Sequence, residues 1–97
     1  MQNEVHIFLG TAIIAEDHTS NYPIGEKHAI LLFLREDIGS EYNLTRAKEI
    51  IRSCKLKMPE FTKVGRLDPN RISDKHRDCY KEALESGSAL VLYADPI

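Results

Sequence analysis

The sequence predicts a single α+β domain over residues 1–97: a two-layer sandwich of a four-stranded mixed sheet and two helices, in the order ββαβαβ. Three observations point there. The length of 97 residues leaves room for one hydrophobic core, because a second domain would need roughly 50 residues of its own. The 42% hydrophobic and 29% charged residues are those of a soluble globular chain, which sets aside disorder, collagen and coiled coil. Four segments read as strands and two as helices, alternating after an initial pair of strands.

Residues 5–15 read as a long first strand. Gly10 in its middle marks a bulge or bend, since glycine packs poorly inside a strand. Residues 16–27 are polar, with Ser20, Asn21, Pro23 and Gly25, and make a connection that is long for a hairpin. His28 to Arg35 is the second strand; Ala29 to Leu34 are all apolar, as in a central strand covered on both faces. Asp37, Gly39 and Ser40 then break the chain.

Asn43 is a good N-cap, and Leu44, Ala47, Ile50, Ile51, Cys54 and Met58 follow at helical spacing. The pattern predicts a helix over 43–56, stopped before Pro59. Phe61 to Leu67 is a short third strand, closed by the turn Asp68-Pro69-Asn70. Ser73 caps the second helix, with Asp74 at its positive end. His76, Cys79, Tyr80, Ala83 and Leu84 form its inward stripe, and Gly87 stands where a left-handed residue ends a helix. Ala89 to Tyr93 is the last strand, paired inside the sheet.

Both helices on one sheet face, ferredoxin-like in character, is the economical arrangement for two crossovers in so short a chain. It leaves an apolar face open. Side chains alternate across a strand, so Val5, Ile7 and Leu9 share one face, while Phe8, Ala12 and Ile14 share the other. Leu31 and Phe33 part from Ile30, Leu32 and Leu34 in the same way. Such a face needs cover. The expectation is a homodimer formed through it; the alternative is cover by the 16–27 loop or by a helix on the opposite face.

The net charge of −2 conceals a segregation: −5 over residues 1–44, +6 over 45–81 and −3 over 82–97. This suits an electrostatically complementary partner. Lys48, Arg52 and Lys55 at i, i+4 and i+7 form a ridge on the first helix, and with Tyr22 of the loop they are the expected binding residues. Like charges at that spacing repel, so the ridge suits an acidic protein or a phosphate backbone. Against nucleic acid stand a pI of about 6.1 and the region's aromatics, Phe61 and Tyr80, which fit the core pattern.

The densest titratable cluster is Glu16, Asp17, His18, Tyr22, Glu26 and His28. In a hairpin, His18 and His28 face one another, with Asp17 or Glu26 orienting an imidazole as in a general base. Polar loops also carry such residues for solvation, and no nucleophile there has motif context. His76 and Cys79 could share a zinc ion with Cys54, but the spacing of zinc motifs is missing, so no metal is expected. The five glycines form no phosphate loop, and no cofactor is expected.

The longest apolar run is far short of the roughly 20 residues of a membrane helix, which argues against a membrane partner. The N-terminus lacks a signal-peptide pattern, and two cysteines make no disulfide scaffold, so a cytoplasmic setting is expected. The expected function is a small non-enzymatic binding or regulatory module that acts through protein–protein contacts and is dimeric through an open sheet face. The alternatives are a small enzyme or ligand binder using His18, His28 and Asp17, and a nucleic-acid binder on the basic ridge.

Overall fold

A computed structural model describes residues 2–16 and 22–96. Strand β1 (Asn3–Ile14) and strand β2 (Lys27–Asp37) form an antiparallel pair, followed by helix α1 (Leu44–Ser53) and strand β3 (Leu56–Arg66). A 3-10 turn over Pro69–Arg71 leads to helix α2 (Asp74–Ser86) and strand β4 (Ser88–Pro96). The order ββαβαβ is therefore the observed one. The strands lie in the order β3-β1-β2-β4, and every pairing is antiparallel, so the sheet is not mixed.

The expected two-layer arrangement does not form, because the helices lie on opposite faces. Phe8, Ala12 and Ile14 of β1 and Ile30, Leu32 and Leu34 of β2 pack with Ala47 and Ile51 of α1. Val5, Leu31 and Phe33 point the other way and pack with Ala83 of α2 and Ala89 of β4. The physical reason is the apolar run in β2. Its side chains emerge on both faces, and each set needs its own cover. Both β2 and β3 run antiparallel to β1, so the chain between them crosses β1 on one face under α1. The return from β3 to β4 crosses on the other face, under α2.

Local signals account for most element ends. The Asn43 side chain accepts the Arg46 backbone N–H at 3.0 Å, and Gly87 closes α2 with φ 102°. Ser73 occupies the N-cap position of α2 but makes no side-chain capping bond. Gly10 is required by a close approach: a β-carbon there would lie 1.8 Å from the Glu60 carbonyl oxygen, beside a bulge that shifts the β1–β3 register. Strand β3 begins five residues before the expected start, running through Pro59. Proline, which has no N–H to donate, is tolerated there because β3 is an edge strand, paired among the described residues with β1 alone.

Candidate functional site

Three described members of the loop cluster, His28, Glu26 and Tyr22, come together in a structural arrangement. His28 is fully buried. Its Nδ1 lies 2.7 Å from the Tyr93 carbonyl oxygen and its Nε2 lies 2.6 Å from Oε1 of Glu26. The Tyr22 ring packs on it at 4.6 Å. The β2–β4 register jumps between the pairs His28↔Pro96 and Ile30↔Leu92, and the imidazole takes up the carbonyl of Tyr93 at that irregularity. Both ring nitrogens thus have protein partners, and Tyr22 serves as cover for the ring. Asp17 and His18 lie outside the described residues.

The basic ridge is shorter than its spacing implied. Arg52 stands exposed in the last turn of α1, and Lys48 is partly buried on the same helix. Lys55 is not helical: it follows the C-cap Cys54 with φ 65°, so the i+7 position is lost to the turn into β3. The two cysteines are also separated. Cys54 is exposed at the end of α1, whereas Cys79 lies on α2 across the sheet, so they do not meet in one core. Burial pushes the Cys79 thiol above its ordinary range, with Glu82 and Asp78 adding to the shift. Among the described residues no group of three or more His, Cys, Asp or Glu side chains could hold a metal ion, and no helix is long and apolar enough to cross a membrane.

A second polar cluster ties together the ends of β1 and β3. Glu4 Oε2 accepts from His6 Nε2 at 2.7 Å, from Arg66 Nε at 3.0 Å and from the Gly39 N–H at 3.3 Å. Arg66 also donates to the Ser40 carbonyl at 2.7 Å and lies over the Tyr42 ring at 5.0 Å. The His6 hydrogen bond, followed by the two from Arg66 and Gly39, outweighs burial and holds the Glu4 carboxyl below its ordinary range. Charge in this cluster is internally matched. It clamps the segment after β2 to the sheet.

The free edge of β3 offers a different arrangement. Leu67 N–H donates to the Val5 carbonyl at 2.9 Å. Given the register His6↔Arg66, Ile7↔Gly65 and Phe8↔Val64, antiparallel alternation turns the backbone groups of Gly65 toward β1 and those of Val64 and Arg66 outward. Hollows flank this edge on both faces of the sheet. On the α1 side a hollow of about 320 Å³ is lined by Tyr42, Leu44, Lys48 and Phe61.

On the α2 side a hollow of similar volume has Ile7, Leu9, Leu31 and Phe33 as its floor. Gly65 and Leu67 stand on one side of it, His76 and Tyr93 on the other. Lys63 and Val64 line both hollows. The α2-side hollow exists because α2 packs most on β4 and leaves part of β1 uncovered, with Leu9 37% exposed. The apolar set Val5, Ile7 and Leu9, one of the two that helices on a single face would leave open, is therefore only partly covered.

Gly65 keeps that hollow open. Its φ is not positive, and a β-carbon built on it would meet only Ile7 Cγ1, at 3.9 Å. Neither backbone conformation nor a close approach demands glycine here. His76 packs its ring 5.7 Å from that of Phe33, and its buried Nε2 has no hydrogen-bond partner. Lys48 and Lys63 make no ion pair among the described residues, whereas Lys75 lies 6.0 Å over the Tyr93 ring. Sequence reasoning missed this site because it began β3 at Phe61 and read no meaning into Gly65. The available signal was a glycine inside a strand, the argument applied to Gly10.

Comparison with protein families, with curated proteins and with solved structures finds no match for this chain.

Proposed function

We propose that the chain is a protein-binding module that accepts an extended segment of its partner on the free edge of β3. One observation carries the reading: the β3 edge, where Val64 and Arg66 turn their backbone groups outward, has an apolar hollow on each face, and the two share Lys63 and Val64. An added strand gains main-chain hydrogen bonds from the edge, and its alternating side chains fall into pockets on the two faces. The ammonium groups of Lys48 and Lys63, which make no ion pair among the described residues, favour a segment that carries carboxylates.

Dimerisation through an open sheet face is replaced in this reading, because each face of the sheet carries a helix. A second copy adding its own edge strand is one outcome of the test. Peptides of about eight residues, a common strand length, are selected from a displayed library against the purified protein. The expected winners alternate apolar residues and include Asp or Glu. They lose binding when N-methylated at the positions that face Val64 and Arg66, and they bind Val64→Pro poorly, since proline removes an outward N–H. Winners that tolerate both changes would contradict strand addition. A library that yields none, with the protein self-associating through β3, would identify the partner as a second copy.

A further inference from the structure

Resting on that strand-addition reading, we infer that the partner places an aromatic residue directly across from Gly65, with an acidic residue two positions away across from Lys63. The inference follows from register. Residues flanking Gly65 expose their backbone groups, so an incoming strand exchanges hydrogen bonds with Val64 and Arg66. In an antiparallel addition the residue opposite Gly65 then forms a non-hydrogen-bonded pair, the geometry in which Cα atoms and side chains approach most closely. Its side chain lies on the α2 face, because Gly65 pairs with Ile7, and Ile7 packs with the core on that face.

The hollow it meets is apolar on its floor, is about 320 Å³ in volume, and is bordered by the Tyr93 and His76 rings. An aromatic ring set across from a glycine supplies the packing that the glycine lacks. Side chains two apart share a face, and Lys63 is the residue two before Gly65 on this face. Lys63 has no carboxylate partner among the described residues, so an acidic side chain opposite it completes the charge pairing.

The test uses threonine-rich peptides of about nine residues, with phenylalanine and glutamate two apart, in both orders to allow either strand direction. Binding is read from amide chemical shifts of the protein. The Phe/Glu peptide is expected to bind about 10-fold or more tightly than its Phe→Ala counterpart, and Glu→Gln to weaken it severalfold at low salt. Gly65→Val fills the hollow without a backbone clash. It should reduce the Phe peptide to the affinity of the Ala peptide while leaving the Ala peptide unaffected. Equal binding of the Phe and Ala peptides, abolished by N-methylation, would overturn this inference and leave strand addition intact. No shift at Val64 or Arg66 with any peptide would overturn both.

Discussion

Gly65 stands opposite Ile7 in the β1–β3 ladder with open space where its side chain would be, the nearest atom to a built β-carbon being Ile7 Cγ1 at 3.9 Å. Gly10, three residues after Ile7 on β1, presses against the Glu60 carbonyl instead. The two glycines should therefore respond oppositely to substitution. Gly65→Val adds a strand-favouring side chain and leaves stability unchanged or raised by up to about 1 kcal/mol. Gly10→Ala forces two backbones apart and costs about 2 kcal/mol or more. Urea denaturation of both variants checks the pair.

His28 anchors the irregular end of β4. His28→Ala leaves a cavity and frees both Glu26 and the Tyr93 carbonyl, so the expected loss is about 2–4 kcal/mol. Faster exchange of amides around Tyr93 should accompany it. A loss confined to a few tenths of a kcal/mol would mean that the bulge stands without the imidazole.

His76 is the opposite case. Its Nε2 is buried without a partner beside Phe33. His76→Phe removes that unsatisfied nitrogen and keeps the ring contact, so the variant should be more stable by about 1 kcal/mol. Thermal unfolding at neutral pH measures it.

Glu4 makes stability fall in acid. Its hydrogen bonds to His6, Arg66 and Gly39 hold its folded-state pKa below that of the unfolded chain, about 4.3. The stabilisation is complete above that value and disappears as pH falls through it toward the lower folded value. Glu4→Gln should flatten this part of the stability profile, as read by denaturation across pH 6 to 2.5. An unchanged acid limb would remove Glu4 from the account.

The thiols report the placement of the helices. Cys54 is exposed, and Cys79 is partly buried with its ionisation disfavoured, so alkylation should reach Cys54 first. Mild oxidation should give no intramolecular disulfide, because the sheet lies between α1 and α2. A monomeric disulfide form would place both helices on one face.

Element identity was legible because it rests on short-range chemistry: Asn43 as a cap, Gly87 as a stop, and the apolar run of β2 as a sign of burial on both faces. That last signal also contained the correct architecture, since a strand apolar on two faces needs two covers. The preference for a two-layer sandwich overrode it. The start of β3 was illegible because edge position, which decides whether Pro59 fits a strand, is a property of the whole sheet. The basic ridge failed at Lys55 for a local reason, a positive φ that no periodicity reveals. The hollow beside the β3 edge was hidden because it is made by what α2 leaves uncovered.

The most direct measurement is amide hydrogen exchange at Val64 and Arg66, with and without a selected peptide. In the free protein these outward amides should exchange fast while those of Gly65 and Leu67, bonded toward β1, are protected. Peptide should slow Val64 and Arg66 by about 10-fold or more. Tight peptide binding that leaves both amides fast would contradict strand addition at β3.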